Sequence, residues 1–88
     1  MPFFSVPAVR VRVNGTDVHV FEYASTTEAD ADAARVAPDA GSIGGSQIAW
    51  ASAPHLFRGN RLIVLYVGQD AAILGALSAL LGAQFAGR

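Results

Sequence analysis

Cysteine is absent from the 88-residue chain, which excludes disulfide frameworks, thiolate metal sites and cysteine nucleophiles. Lysine is absent too. All six cations are arginine, set against seven carboxylates for a formal net charge of −1. Charged residues make up 15% of the chain, too few and too balanced for a strongly basic nucleic-acid binder. Apolar residues make up 52%, which excludes a disordered tail, because disorder needs low hydrophobicity and high net charge. Long apolar runs are missing as well. The longest, residues 71–83, is interrupted by Gly75, Ser78 and Gly82. At about 1.5 Å per residue it falls short of a ~30 Å hydrocarbon layer. The opening Met1-Pro2-Phe3-Phe4-Ser5-Val6-Pro7 lacks the basic and long apolar regions of a signal peptide. The expectation is one domain over residues 1–88, with 1–8 as an extended N-terminal segment. Its expected place is the cytoplasm as written, or the extracytoplasmic envelope if an export segment precedes it.

Val9, Val11 and Val13 alternate with Arg10 and Arg12, the period of a strand with one buried face. Asn14-Gly15 follows, suited to a type I′ turn, and residues 16–23 read as the returning strand. Folding about that turn sets Val13 opposite Thr16, Arg12 opposite Asp17, Val11 opposite Val18 and Arg10 opposite His19. Val9, Val11, Val18 and Val20 then share one face, and Arg10, Arg12, Asp17, His19 and Phe21 the other. Ser25-Thr26-Thr27-Glu28 forms a capping box, opening a helix with Ala29, Ala33, Val36 and Ala37 on one stripe and Pro38 as its stop. A glycine-rich connection covers residues 40–46. A third strand is expected over 47–56, a turn at Arg58-Gly59-Asn60 and a fourth strand over 61–67. Leu62-Ile63-Val64-Leu65-Tyr66-Val67 is apolar on both faces, as a central strand covered on two sides would be. Asp70 caps a second helix, in which Ile73, Leu74, Leu77, Leu80, Leu81 and Phe85 recur at helical spacing. The expected fold class is α+β: a four-stranded antiparallel sheet in ββαββα order, with both helices packed on one face.

That arrangement leaves the other sheet face open and largely apolar. A contiguous apolar patch of this kind commonly marks an association site. Phe21, Tyr23, Trp50, Leu62, Val64 and Tyr66 are the residues expected to form it, with a homodimer or another protein as partner. The alternative is internal: residues 1–7, with Phe3, Phe4 and Val6, fold back over the patch.

Candidate chemistry is sparse. Gly41, Gly44 and Gly45 lie in a helix–glycine–strand order with no lysine, the reverse of a phosphate loop, so they read as a flexible connection. His19 and His55 lack the base, nucleophile and orienting group at a recognisable spacing, so no catalytic residue is assigned and no enzyme is expected. No cofactor and no metal site are expected, for want of ligand spacing. Arg10, Arg12, His19, Phe21 and Tyr23 suggest a basic-aromatic platform, but the strand order and signature of the single-stranded RNA module are missing, and an Arg12–Asp17 pair is the simpler reading. The second helix has almost no cations on its polar face and reads as core rather than as a membrane-surface helix. A small apolar ligand is the alternative partner. Its pocket would lie between sheet and helices or at a dimer seam, with His55 and Arg58 at the mouth.

Several segments recur together: Phe3-Phe4-Ser5-Val6-Pro7, the stretch from Val13-Asn14-Gly15 through Asp17-Val18 to Val20-Phe21-Glu22-Tyr23, Ser42-Ile43-Gly44, Pro54-His55, and Arg61-Leu62-Ile63-Val64-Leu65-Tyr66-Val67-Gly68. In this combination the chain resembles a family of small uncharacterised bacterial proteins, many of them envelope lipoproteins, and the likeness covers nearly its whole length. The resemblance implies an extracytoplasmic accessory or binding role. It brings no established activity and no catalytic residues to carry over.

Overall fold

The Asn14-Gly15 turn sets the first hairpin. Its two residues have φ of 51° and 78°, both positive as a type I′ turn requires, and they join β1 (Ala8–Val13) to β2 (Thr16–Glu22). The pairs Val13↔Thr16, Arg12↔Asp17, Val11↔Val18 and Arg10↔His19 are those the sequence predicts. The computed structural model describes residues 4–87.

Helix α1 (Thr26–Ala33) starts where Ser25 Oγ accepts from the Glu28 N–H at 3.2 Å. It ends earlier than Pro38. Arg35 N–H donates to Asp32 O and Val36 N–H to Ala33 O, three-residue bonds that tighten the last turn and release Val36 to bridge Ile43. Strands β3 (Ser42–Ile43) and β4 (Ser46–Gln47) form a small separate hairpin. Strand β5 (Pro54–Gly59) turns through Asn60-Arg61 into β6 (Leu62–Val67). The third sheet strand thus begins at Pro54 and not at residue 47, because Ser46 and Gln47 pair with β3. Asp70 Oδ1 accepts from Ala72 N–H at 2.9 Å and caps α2 (Ala71–Leu81). Gly82, at φ 81°, ends α2, and the chain returns along β5 as β7 (Ala86–Gly87). Phe85 is therefore outside the helix.

The class is α+β, with antiparallel pairing throughout the main sheet. That sheet has five strands, in the order β1-β2-β6-β5-β7, beside the two-stranded β3–β4 ladder. The expected four-stranded ββαββα sheet with both helices on one face is corrected on both counts. Strand β7 adds a fifth member, and the helices lie on opposite faces. Ala29 and Ala33 of α1 pack with Phe21, Ile63 and Leu65, whereas Ile73 and Leu77 of α2 pack with Val18, Phe57 and Val64.

Strand direction gives the reason. From the antiparallel pairings, β2 runs parallel to β5, and β6 runs parallel to β7. The segments holding α1 and α2 are thus both crossovers between parallel strands, and both step the same way across the sheet. They leave β2 and β6, which point in opposite directions. With both crossovers right-handed, the two helices must fall on opposite faces. Strand β6, buried from Ile63 to Tyr66, is the central strand covered twice that its sequence describes.

Candidate interaction surface

Among the described residues, the inner strands β5 and β6 are covered on both faces. Phe21 and Tyr23 are 0% and 1% exposed in the α1-side core, and Val64 and Tyr66 are 4% and 3% exposed in the α2-side core. Trp50 leaves the sheet altogether: its Nε1–H donates to Ala40 O at 2.7 Å, and its ring packs half-buried on the α1 side. Leu62 is half-buried on the α2 side. The six residues expected to form one surface therefore divide between two cores, and four of them are out of reach of any partner. The internal cover supplies part of the reason. Phe4 packs edge-on against Phe21, ring centroids 4.8 Å apart, and Val6 joins the same cluster. Phe3 lies outside the described residues.

Asp32 holds that cover in place. Its buried Oδ2 accepts from Ser5 N–H, Ser5 Oγ and Tyr23 Oη, each at 2.8 Å, and Oδ1 accepts from Arg35 at 3.1 Å. Burial alone would raise the Asp32 carboxyl, but the bonds from Ser5, Tyr23 and Arg35 outweigh it and hold the group below the usual carboxylate range. Tyr23 moves the opposite way. Burial first, then its bond to Asp32 and that carboxylate's charge, push its hydroxyl well above the ordinary tyrosine value. This constellation is a phenol donating to a carboxylate whose other donors come from Ser5 and Arg35. It is a structural clasp. In sequence Asp32 resembles a surface acid beside Asp30; the available signal is its place three residues after the buried Ala29.

His55 and Arg58 part company. Along β5 they have opposite parity, so His55 lies on the α2 side and Arg58 on the α1 side. Arg58 bonds Asp30 at 2.7 Å and Asn60 O at 3.0 Å, away from any pocket mouth. His55 is buried against Tyr66, ring centroids 6.0 Å apart. Its Nε2 lies 2.9 Å from Gly68 O, an acceptor only, so Nε2 carries a proton; Nδ1 meets the Gln84 amide at 2.7 Å. His55 does line a cavity of about 570 Å³, with Trp50, Ser52, Gln69 and Leu74 around it. His19 sits on the opposite face of the sheet, between Arg10 and Leu65, so the two histidines do not converge. Among the described residues, no group of three or more His, Asp or Glu side chains is placed to hold a metal. No helix among them is long and apolar enough to cross a membrane.

The apolar surface that remains lies elsewhere. Among the described residues, the exposed large hydrophobics are Val9 at 58%, Val11 at 43% and Leu80 at 80%. Helix α2 covers β5, β6 and Val18 of β2 but only partly covers the rest of the hairpin, leaving an apolar groove of about 210 Å³ beside it. Val11, Val13 and Val20 form one wall, Leu77, Leu80 and Leu81 the other. Val9 continues the valine row beyond it along the same face of β1.

The reverse side of β1 is charged. Arg12 faces Asp17 in register, yet its guanidinium bonds Gly15 O at 2.7 Å, and it is Arg10 that approaches Asp17, at 3.8 Å. The long arginine reaches diagonally, and the turn carbonyl offers Arg12 a closer acceptor. The two ends of the sheet differ. At the far end, β7 has only two residues, and Gly87 N–H donates outward to Pro38 O at 2.9 Å. At the near end β1 runs six residues with no strand beyond it among the described residues. Comparison of the chain with protein-family models, with curated proteins and with solved structures found no match.

Proposed function

We propose that the protein is a non-enzymatic interaction module that binds a protein partner through the β1–β2 hairpin and the neighbouring face of α2. One observation carries the reading. The exposed large hydrophobics among the described residues, Val9, Val11 and Leu80, all border the same surface. Burial of such side chains stabilises association by about 25 cal/mol for each Å² removed from water. Resemblance to small bacterial envelope proteins supports an accessory role of this kind. The test is panning of random displayed peptides against the chain, with counter-selection on Leu80→Asp and Val11→Asp variants. Enriched peptides that lose binding to both variants support the reading. Peptides that bind the variants equally well would send the search to another face.

A second reading is a small-molecule site at the Trp50–His55 cavity, favoured by its volume of about 570 Å³, a size typical of ligand pockets. Trp50 is the single tryptophan, so its fluorescence reports occupancy directly. Absence of a saturable change across a broad fragment library would retire this reading.

A further inference from the structure

We infer that β1 is a strand-accepting edge, and that its occupant is an extended segment of another protein in which apolar and acidic residues alternate. The inference rests on the reading above and names the partner's chemistry.

The first part follows from backbone hydrogen bonding. In a two-residue hairpin the residues flanking the turn form a hydrogen-bonded pair, and such pairs alternate along an antiparallel ladder. Val13, Val11 and Val9 therefore bond inward to Thr16, Val18 and Val20. Ala8, Arg10 and Arg12 turn their N–H and C=O groups to the outer edge, where no strand of the described residues meets them. An added strand would satisfy these groups and place every second side chain beside the valine row, on the sheet face that carries the α2 groove.

Charge decides the occupant. On the side of β1 away from the groove stand Arg10 and Arg12, facing Asp17 and His19 of β2. The arginines outnumber the one carboxylate, and the Arg10–Asp17 pair is long at 3.8 Å, with Arg10 72% exposed. A second copy added edge to edge would be antiparallel about a two-fold axis, with the same face up in both strands. Residues opposite each other then have the same parity, so every register that pairs more than three residues of each β1 sets Arg10 opposite Arg10 or opposite Arg12. Guanidiniums crowded in this way repel, as edge charges do in proteins that avoid self-pairing. A strand presenting Asp or Glu at those positions, and Val, Ile or Leu between them, answers both sides of β1 at once.

The test uses the full chain, labelled with nitrogen-15, and three nine-residue peptides: alternating Val and Glu, alternating Val and Lys, and a block peptide with the composition of the first. The Val/Glu peptide is expected to slow amide exchange at Arg10 and Arg12 while leaving Val9 and Val11, already bonded to β2, unchanged. It should bind at least tenfold more tightly than the other two. Joint Arg10→Glu and Arg12→Glu substitution should reverse the preference toward Val/Lys, and Arg10→Gln with Arg12→Gln should remove it. Equal binding of Val/Glu and Val/Lys peptides would overturn the charge argument. Shifts at Leu77 and Leu80 with Arg10 and Arg12 amides still exchanging fast would overturn strand addition and leave the interaction reading standing. Slowing at those amides without peptide, growing with protein concentration, would make a second copy the occupant and overturn the inference. No binding by any peptide overturns it as well, and the panning experiment then decides the broader reading separately.

Discussion

Tyr23 Oη donates to Asp32 Oδ2 at 2.8 Å, a buried bond that ties the end of β2 to α1. The same oxygen takes both donors of Ser5, so one carboxylate joins the N-terminal segment, the sheet and the helix. Removing the carboxylate strands three partners, whereas removing the phenol hydroxyl strands none. Asp32→Ala should therefore destabilise the fold by about 3 kcal/mol and Tyr23→Phe by about 1–2 kcal/mol. Urea midpoints of the two variants measure the difference, and equal losses would refute the clasp.

The pH dependence has a definite sign on each side. The Asp32 carboxyl is lowered in the fold, so its contribution is complete above the ordinary carboxyl value of ~3.9 and is lost as pH falls through the lowered one. Tyr23 is raised, so its contribution is complete below the ordinary tyrosine value of ~10 and is lost as pH climbs toward the raised one. Stability against urea, followed across pH, should lose part of its acid limb in Asp32→Asn and part of its alkaline limb in Tyr23→Phe. An unchanged acid limb in the former would show that other carboxylates govern acid unfolding.

Helix α2 should respond to truncation according to face. Ile73 is 0% exposed beneath it and Leu80 is 80% exposed beside the groove. Ile73→Ala is expected to cost about 3 kcal/mol, Leu80→Ala no more than about 0.5 kcal/mol. A costly Leu80→Ala, measured on dilute protein, would mean that the groove is closed in solution.

Gly87 packs where no side chain fits. At φ 124°, a β-carbon there would run into the Pro54 carbonyl oxygen and lie 3.0 Å from His55 Cα. Gly87→Ala should release β7 from β5 at a cost of about 1–3 kcal/mol, with faster amide exchange at Phe85 and Gly87 as its signature. Unchanged protection at both amides would disprove this account of the edge.

Local chemistry was legible in the sequence, and long-range arrangement was not. Asn14-Gly15, the hairpin register and the cap at Asp70 each act within a few residues and form as read. The Ser25 box forms only its serine half, and the alternating valines pair in register but leave Val9 and Val11 exposed. The two-sided burial of β6 was legible too, and it already argued against both helices sharing a face. What decides the helix sides is the direction of the strands that each crossover leaves, a property of β2–β6 pairing that no local pattern carries. Ile48 and Trp50 alternate like a strand, but Ile48 N–H donates to Gly41 O and the Trp50 indole to Ala40 O, so the segment is held to the loop after α1 instead of to the main sheet. The cover of the α1-side core comes from Phe4, Ile43, Trp50 and Phe85, which stand in segments without periodicity. With Phe21 and Tyr23 sealed beneath that cover, the candidate surface moved to the hairpin valines, which in sequence promised a buried face.

The strand order also dictates a timetable for folding. Strand β2 finds its inner neighbour only in β6, through pairs as distant in sequence as His19 and Leu65, and β5 gains β7 later still. The first hairpin and α1 precede in sequence almost all of the core they bury against. Phe21 and Tyr23 stay wet until residues beyond 60 join them, and the α1-side cluster closes only with Phe85 and Ala86. Until β6 and α2 join it, the hairpin therefore has an uncovered valine face and a free edge, a stage at which arginines on that edge guard against pairing with a neighbouring chain.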